Sequence, residues 1–442
     1  MEKFIITGGK ALNGFVKVGG AKNVAMKVIL AGILTDERLT VHNIPLISSV
    51  LGTTQIVEPL GMSVLRKNHT LQLSGKNIHR QQVPLELGGL YRTAPMVMGP
   101  LLARFGKAVV PNPGGCRLGK RPVNWHVEAL KQMGATITYK DGYYHAHTKQ
   151  LTGTRIKFVK NTHTGTETVL LAAVLAKGRT IIENGSEEPE VDDLIKLLLL
   201  MGADISRDKR TIIINGVKRL SGAEMQIMYD RNEVVTYAIG AITTKGSVTV
   251  EGTQREYLQA FLNSLDQVGA GWEEIDKLTT RFFWKGPLKS SDIQTRPYPG
   301  FMTDWQAPWS VLTTQAIGIS TIHETVFESR FSYALELRKM GAKIDFFEPD
   351  ILNPKEFYNF NWRDKVEGYY QGIRVTGKTA LHEAVVEITD LRAGATLVLA
   401  ALVARGKSVI HGIEQIDRGY EEFDKRLKNL GAHIVRMKED YD

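Results

Sequence analysis

The sequence has a single cysteine among its 442 residues, so it cannot form an intramolecular disulfide, which excludes the disulfide-stapled secreted class. Long hydrophobic runs are also absent. The longest, such as residues 397–404, fall far short of the roughly 20 apolar residues that a membrane-spanning helix needs. The first residues lack the pattern of a secretory signal. We therefore expect a cytoplasmic globular protein without membrane insertion, and its length allows roughly two to four domains.

The charge of the chain is modestly basic. Lys and Arg number 56 against 47 Asp and Glu, for a formal net charge of +9. The sequence has no block of five or more Lys or Arg residues and no basic segment interleaved with aromatics, so we predict no nucleic-acid partner. Two interpretations of the basic surplus remain open. It forms a solvated basic surface, or it consists of dispersed cations that bind small anionic substrates.

A short signal recurs six times and predicts the architecture. A hydrophobic residue, a glycine and usually an alanine end an amphipathic stretch, and the residues that follow alternate like a strand. The glycines are Gly61, Gly134, Gly202, Gly269, Gly341 and Gly431, at spacings of 73, 68, 67, 72 and 90 residues. Each fits the left-handed position that ends a helix. With the apolar helix and strand upstream, each unit reads β-α-β-α-β-β, and six units predict two domains of three, with a substrate cleft between them.

The cysteine lies in a loop rich in glycine, proline and cations. Cys116 is followed within five positions by Arg117, Lys120 and Arg121, and nearby cations favour the reactive thiolate. A buried, inert thiol is the alternative, and the local chemistry favours a reactive one. The loop resembles a P-loop, but Arg121 occupies the place of the hydroxyl that ligates Mg²⁺. The sequence has no cluster with metal-ligand spacing either, so we expect no metal and no cofactor.

Charged residues also stand where the chain turns from strand to helix. Lys22 and Asn23 follow Gly20 at the start of a predicted helix, where backbone N–H groups favour a phosphate or carboxylate. Three aspartates occupy similar places, two of them with an arginine one or two residues later. The residues concerned are Asp304, Asp390 with Arg392, and Asp417 with Arg418. Helix N-capping explains the aspartates but not the arginines.

Eight motifs in order resemble the enolpyruvyl transferase family, and within it the UDP-N-acetylglucosamine 1-carboxyvinyltransferases of peptidoglycan synthesis. The motifs lie at residues 20–23, 113–116, 119–123, 183–190, 303–307, 324–330, 390–393 and 416–420. The resemblance covers essentially the whole chain. It implies an α/β protein of two inside-out domains, each with three βαβαββ repeats around a cleft. It places one domain at residues 22–229 and the other at residues 1–21 and 230–442.

The resemblance implies transfer of the enolpyruvyl group of phosphoenolpyruvate to the 3′-hydroxyl of UDP-N-acetylglucosamine, with release of phosphate. By position, Cys116 resembles the thiol that protonates the enol carbon, and Asp304 the group that takes the hydroxyl proton. Lys22, Arg392 and Arg418 complete the implied catalytic set. The residues implied to bind phosphoenolpyruvate are Lys22, Asn23, Arg121, Arg330, Arg392 and Arg418. The residues implied to bind the UDP-sugar are Arg92, Arg121, Pro122, Val123, Asn124, Trp125, Lys160, Thr162, His163, Asp304 and Val326.

The chain departs from the family's pattern mainly around the nucleotide. Arg117 replaces a small residue after the cysteine, Asn124 and Trp125 replace an aspartate and an aliphatic residue, and the segments 162–165 and 232–235 differ. These changes bear on the acceptor more than on the reaction. Two alternatives remain. One is the sister transferase acting on shikimate 3-phosphate, which is not expected to have the Gly-Gly-Cys loop. The other is a catalytically idle paralogue that binds a nucleotide.

Overall fold

The computed structural model describes residues 2–91, 93–113 and 123–438. The chain separates into two compact units. We call residues 20–91, 93–113 and 123–228 the inserted unit, and residues 2–19 and 229–438 the terminal unit. The terminal unit thus contains both the first and the last described residues, while the inserted unit lies between them in sequence.

The elements of both units are numbered in chain order. The strands are β1 (Glu2–Thr7), β2 (Asn13–Lys17), β3 (Leu39–His42), β4 (Ser63–Lys67), β5 (Thr70–Ser74), β6 (Lys107–Pro111), β7 (Thr136–Lys140), β8 (Tyr143–His147), β9 (Arg155–Lys157), β10 (Arg179–Glu183), β11 (Asp204–Asp208), β12 (Thr211–Asn215), β13 (Ala223–Gln226), β14 (Ser247–Glu251), β15 (Gly271–Asp276), β16 (Thr279–Phe283), β17 (Asp292–Gln294), β18 (Gly318–His323), β19 (Lys343–Phe347), β20 (Gly372–Gly377), β21 (Val385–Glu387), β22 (Lys407–His411) and β23 (His433–Lys438). The α-helices are α1 (Lys22–Ala31), α2 (Ser48–Val57), α3 (Leu85–Leu90), α4 (Met98–Phe105), α5 (Asn124–Gln132), α6 (His163–Ala173), α7 (Pro189–Leu200), α8 (Arg231–Thr243), α9 (Gln259–Val268), α10 (Gln306–Gln315), α11 (Ser332–Lys339), α12 (Pro354–Phe357), α13 (Leu391–Val403) and α14 (Phe423–Asn429). Short 3-10 turns are Gly32–Leu34, Glu58–Leu60, Ala94–Val97, Arg255–Tyr257, Trp362–Asp364 and Ile413–Gln415.

The strands of the terminal unit form three sheets that repeat one topology. Their orders are β15-β16-β14-β2, β17-β18-β20-β19 and β21-β22-β1-β23. In the second sheet β17 is parallel to β18, and β20 is antiparallel to both β18 and β19. The first and third sheets reach the same order by taking in β2 and β1 from the start of the chain. Each repeat therefore reads β-α-β-α-β-β.

The inserted unit repeats the same plan. Its sheets are ordered β13-β3-β5-β4, β6-β8-β7 and β11-β12-β10-β9. In the second repeat the first strand is reduced to a single parallel bridge between Gln82 and Val109. In the first repeat it is β13, from the end of the unit, that lies parallel to β3. The predicted α/β fold of βαβαββ repeats is confirmed.

The six repeat glycines end helical segments as predicted. Their φ angles lie between 77° and 103°, the left-handed region that favours glycine. In each repeat the following strand begins two residues after the glycine, as β11 does after Gly202. A Cβ added at Gly134, Gly202 or Gly269 would meet nothing within 4 Å. At these positions the backbone conformation, and not lack of space, requires glycine.

The helices of each unit lie inside and the sheets outside. In the terminal unit α8, α10 and α13 are almost wholly buried and pack against one another. Beside them Trp305 and Trp309 meet Phe261 and Phe301 edge to face, with ring centroids 5.4–6.0 Å apart. In the inserted unit α6 is equally buried and packs against α1, α4 and α5. Such apolar packing fixes the helix ends that carry the candidate site residues.

Among the helices in the described ranges, none is long and apolar enough to cross a membrane.

Candidate functional site

In the terminal unit, the carboxylate of Asp304 lies between two arginines. Its Oδ1 accepts a hydrogen bond from Arg330 Nη2 at 2.5 Å, and its Oδ2 lies 3.2 Å from both Nε and Nη2 of Arg392. Asp304 precedes α10, Arg330 precedes α11, and Arg392 is the second residue of α13. The starts of α10, α11 and α13 thus bring together residues that lie far apart in sequence.

Both guanidinium groups are almost completely buried. Arg330 and Arg392 are each 4% exposed. Burial alone would lower the pKa of Arg330, but the negative charges of Asp304 and Glu324 raise it above its ordinary value. Nη1 of Arg330 is buried and has no hydrogen-bond partner among the described residues. A buried, unsatisfied guanidinium nitrogen is suited to binding an anionic oxygen.

The start of α13 orients Arg392 through a cap and a tyrosine. The Asp390 carboxylate accepts hydrogen bonds from the backbone N–H groups of Arg392 and Ala393, at 2.9 and 3.1 Å. N-capping therefore accounts for this aspartate. Arg392 Nη1 donates to the hydroxyl of Tyr420 at 3.1 Å, and that hydroxyl lies 2.7 Å from Thr236 Oγ1. Tyr420 is fully buried, and the sequence analysis assigned it no role.

A second residue without a predicted role, Glu324, organises the chain before Arg330. It is fully buried, and burial raises the pKa of its carboxyl. Its Oε1 accepts the backbone N–H groups of Val326 and Phe327 at 2.7 and 3.0 Å. Its Oε2 accepts the Thr303 hydroxyl at 2.8 Å. The feature of the sequence that could have indicated this role is an acidic residue directly after β18, within the 324–330 motif.

Arg418 lies apart from this cluster. Its Nη1 donates to Gln415 Oε1 at 3.0 Å, and within the part of the chain that the structure describes it forms no ion pair. The guanidinium is half-buried. The neighbouring Asp417 instead pairs with Arg436 at 2.5 Å. The structure therefore does not join Arg418 to Asp304, and it leaves this cation without an acidic partner among the described residues.

In the inserted unit, Lys22 and Asn23 are the first two residues of α1. Ala21 occupies the N-cap position, and no side chain of the described residues caps this helix. Gly20 precedes the helix and lies very close to the backbone of Asn43. A Cβ added at Gly20 would lie 1.7 Å from the Asn43 carbonyl oxygen. Only glycine fits this approach. The uncapped N–H groups and the Lys22 side chain create an environment that favours an anion.

Three ionisable side chains, two on α6 and one on α1, contact one another near the start of α6. Thr162 caps the helix by accepting the Gly165 N–H at 3.2 Å. His163 Nε2 lies 3.0 Å from Glu167 Oε1, and Glu167 Oε2 lies 3.1 Å from Lys27 Nζ of α1. Lys27 and Glu167 are 3% and 0% exposed, and the sequence analysis had singled out neither. Burial would lower the pKa of His163, but the charge and hydrogen bond of Glu167 raise it above its ordinary value.

The start of α5 lies next to the start of α6. Val123 is buried before the helix, Asn124 is exposed and Trp125 is half-buried. His126 joins the two helices, because its Nδ1 lies 2.8 Å from Thr168 Oγ1 and its Nε2 lies 3.1 Å from Thr164 Oγ1. The half-buried Lys160 stands two residues before Thr162. Most of the residues implied to bind the UDP-sugar in this unit therefore occupy two adjacent helix starts.

Several predicted site residues lie outside the described residues: Arg92, Cys116, Arg121 and Pro122. Within residues 2–91, 93–113 and 123–438, no group of three or more His, Cys, Asp or Glu side chains is placed to hold a metal ion.

Comparisons with known proteins decide the family. The sequence model described as "EPSP synthase (3-phosphoshikimate 1-carboxyvinyltransferase)" matches residues 6–427. The chain belongs to this family. A UDP-N-acetylglucosamine 1-carboxyvinyltransferase from Desulforapulum autotrophicum is 41% identical over 439 residues, covering 99% of this chain and 100% of the relative. One from Acidobacterium capsulatum is 39% identical over 442 residues, covering 99% and 96%.

Solved structures of enolpyruvyl transferases share the fold. The enolpyruvyl transferase NikO from Streptomyces tendae superposes with a TM-score of 0.87 at 22% identity, covering 99% of both chains. An EPSP synthase from Acinetobacter baumannii gives a TM-score of 0.71 at 19% identity, covering 99% of this chain and 100% of that one. The resemblance found in the motifs, to this enolpyruvyl transferase family, is confirmed.

Proposed function

We propose that the protein transfers the enolpyruvyl group of phosphoenolpyruvate to the 3′-hydroxyl of UDP-N-acetylglucosamine and releases phosphate. This reaction is the first committed step of peptidoglycan synthesis, which takes place in the cytoplasm and supports cell shape and division. Full-length relatives at 39–41% identity carry the name of this transferase, whereas the EPSP synthase structure is 19% identical. The acceptor is therefore UDP-N-acetylglucosamine in preference to shikimate 3-phosphate.

The observation that carries the proposal is the Asp304 carboxylate held by two buried guanidinium groups. A substrate carboxylate binds Arg330 and Arg392 as a second anion, and the unsatisfied Nη1 of Arg330 is available to it. In doing so it replaces Asp304 as a partner of these cations. Asp304, 21% exposed, is then able to accept the proton of the incoming hydroxyl.

The proposed reaction is an addition followed by an elimination. The 3′-hydroxyl oxygen bonds to C2 of phosphoenolpyruvate and gives its proton to Asp304, while Cys116 delivers a proton to C3. The C2–O bond to phosphate then breaks, and loss of a proton from C3 restores the double bond. Lys22, Arg121 and Arg418 neutralise the phosphate as it leaves. Arg418, without an acidic partner among the described residues, is suited to this role.

The inserted unit contains most of the residues proposed to bind the UDP-sugar, and Asp304 and Val326 belong to the terminal unit. The starts of α5 and α6 present Asn124, Trp125, Thr162 and His163, and an amide at Asn124 can hydrogen-bond a base edge. Cys116 is proposed to form a second product with phosphoenolpyruvate. In this adduct the sulfur bonds to C2 and the thiol proton moves to C3, so the protein gains the mass of one phosphoenolpyruvate.

Phosphate release tests the proposal directly. The purified protein is mixed with phosphoenolpyruvate and either UDP-N-acetylglucosamine or shikimate 3-phosphate. We expect release with the sugar nucleotide only, and a product heavier by one enolpyruvyl group. Release only with shikimate 3-phosphate would establish the sister activity. Binding of the sugar nucleotide without any release would identify a catalytically idle paralogue.

The thiol is tested separately. We expect Cys116→Ala to lose roughly 10²–10⁴-fold or more in kcat, the usual contribution of general acid catalysis, and to form no adduct detectable by intact mass. Cys116→Asp should retain part of the activity because a carboxyl also delivers a proton. Activity of the alanine variant within a few-fold of the wild type would contradict the role of the thiol.

A further inference from the structure

In five of the six repeats the last two strands follow each other in the chain, and one of these five differs from the other four in how the two strands are joined. The hairpins β4–β5, β7–β8, β11–β12 and β15–β16 each turn through two residues. In the fifth repeat Phe347 of β19 pairs with Gly372 of β20, as in a hairpin, yet residues 348–371 run between them. We call these residues the excursion. They account for the longest of the spacings between the repeat glycines.

The excursion has a packed interior of its own. Tyr358 is fully buried and stacks on Trp362, with ring centroids 4.8 Å apart and planes inclined by 13°. Lys365 Nζ lies 4.7 Å from the Trp362 ring and 2.6 Å from Glu348 Oε2. Phe360, 6% exposed, packs beside Tyr358. These contacts hold residues of the excursion against one another.

The excursion contacts residues 323–330, which we call the Arg330 segment, at several consecutive points. Asn359 N–H donates to the Thr325 carbonyl at 2.8 Å. Gln371 binds twice, since its carbonyl accepts the Glu324 N–H at 2.9 Å and its Nε2 donates to the Glu328 carbonyl at 3.0 Å. These three bonds fix the backbone at three of five successive residues.

Side chains of the excursion also contact His323, the last residue of β18. The Tyr358 hydroxyl lies 3.1 Å from His323 Nε2. Phe357 stacks on the same imidazole, at 5.4 Å between ring centroids and 17° between planes. His323 is thus held on one edge and one face by neighbouring residues of the excursion.

The fixed segment carries residues of the proposed site. Glu324 accepts the backbone N–H of Val326 and, through Thr303, reaches the residue before Asp304. The Arg330 guanidinium lies 4.9 Å from the ring of Phe327. A displacement of the backbone at residues 324–328 would therefore move Arg330 relative to Asp304.

We infer that the excursion is a positioning element for phosphoenolpyruvate binding, in which Tyr358 and Gln371 hold the Arg330 segment in place. Neither residue touches the substrate. The inference rests on the proposed function, because that proposal assigns Arg330 to the substrate carboxylate. It predicts a loss of substrate affinity when the excursion is loosened, with little change in the chemical step.

The first experiment needs no activity. Hydrogen exchange of the backbone amides of residues 324–328 is measured in the wild type, Tyr358→Phe and Gln371→Leu. Tyr369→Phe is the matched control, since it removes a hydroxyl from a half-exposed tyrosine of the same excursion. We expect exchange to accelerate about three- to tenfold in the first two variants, the usual worth of one hydrogen bond, and not in the control. Unchanged exchange, or equal acceleration in Tyr369→Phe, would overturn the inference.

The second experiment is kinetic and uses a double-mutant cycle with Arg330→Lys. We expect Tyr358→Phe and Gln371→Leu to raise the KM for phosphoenolpyruvate about three- to tenfold, with kcat within twofold of the wild type. Combined with Arg330→Lys, each should add less than its single effect, because both act through the same guanidinium. A fall in kcat at unchanged KM, or full additivity, would overturn it. Accelerated exchange in Tyr358→Phe and Gln371→Leu, together with a wild type that lacks transferase activity, would overturn the proposed function and support the positioning role alone.

Discussion

The candidate site residues of the two units lie among charges that are arranged in opposite ways. In the terminal unit, three charged residues of the candidate site contact one another directly, with Asp304 held by Arg330 and Arg392, while Arg418 lies apart. In the inserted unit, the paired charges are Lys27 and Glu167, which are buried behind the helix starts that carry the proposed ligand-binding residues. Under the proposed function, an anion therefore exchanges partners in the terminal unit. In the inserted unit it meets N–H groups and side chains that the buried pair only holds in place.

We therefore expect the Asp304 cluster to take part in the reaction and the Lys27–Glu167 pair to support the structure. Removing a charge from the Asp304 cluster alters groups that are proposed to react, whereas removing one from the Lys27–Glu167 pair alters the packing of α1 against α6. The first kind of change should be seen mainly in turnover and the second mainly in unfolding. Variants of matched size in the two clusters test the distinction.

The largest effect is expected for Asp304→Asn. The amide keeps the shape of the side chain but can neither accept the hydroxyl proton nor neutralise the two guanidinium groups. We expect kcat to fall roughly 10²–10⁴-fold. Steady-state kinetics with both substrates measure it, with Asp350→Asn, at an exposed carboxylate of the excursion, as the control. A variant within a few-fold of wild type would remove Asp304 from the chemistry.

The next effect concerns the buried pair of the inserted unit. Lys27→Met leaves the Glu167 charge unpaired in the interior, and we expect a loss of about 3–5 kcal/mol in the free energy of unfolding. The double variant Lys27→Met with Glu167→Gln should recover most of it, because no unpaired charge remains. Urea denaturation measures both, and the kcat of the folded variants should stay within a few-fold of wild type. A loss of kcat comparable to that of Asp304→Asn would abolish the distinction between the two units.

Arg418→Ala should have an intermediate effect, and only on one substrate. Its proposed partner is the phosphate of phosphoenolpyruvate, and a charge-assisted hydrogen bond is worth about 1.5–3 kcal/mol. We expect the KM for phosphoenolpyruvate to rise roughly 10–100-fold. Calorimetric titration with UDP-N-acetylglucosamine serves as the control and should give an unchanged affinity. Equal weakening of both ligands would show that the variant perturbs the fold.

Replacing a repeat glycine should lower the free energy of unfolding by a similar amount in the two units. Gly134 and Gly269 have left-handed φ angles of 94° and 77° and open space around the added Cβ. Replacement by alanine imposes only the backbone cost, about 1 kcal/mol at each site. Urea denaturation should report similar losses in the two variants, with unchanged turnover. A loss several times larger in one unit would mean that its repeat depends on this turn for more than backbone conformation.

The smallest effect expected is a pH dependence at His163. Its pKa is raised in the folded protein, so the folded state binds a proton more tightly than the unfolded state does. The stability from this group is present below the ordinary pKa of about 6.5 and is lost as the pH rises through the folded value. The melting temperature of His163→Gln should therefore differ more from wild type at pH 6 than at pH 9. An equal difference at both values would show that Glu167 does not stabilise a charged imidazole.

The sequence predicted the features that depend on local chemistry. A glycine that ends a helix has a conformational reason to be there, so six of them revealed the repeats and the start of the next strand. The cap at Asp390 follows equally from neighbouring residues. The Lys27–Glu167 pair could not be found in this way, because its members lie on helices distant in sequence and ordinary surface charges look the same. Glu324 lies in the 324–330 motif, but its hydrogen bonds with two backbone N–H groups are seen only in the structure.

The placement of β1 and β2 has a consequence for how the chain folds as it is made. The ribosome releases these strands first, yet β2 pairs with β14, and β1 lies between β22 and β23. The inserted unit contains all the partners of its own strands by residue 226, so its sheets can form while the rest is still being translated. β2 therefore stays without its partner until β14 is made, and β1 until β22 and β23 are made. A chaperone that shields extended apolar segments would therefore have β1 as a substrate while the residues between β1 and β22 are translated.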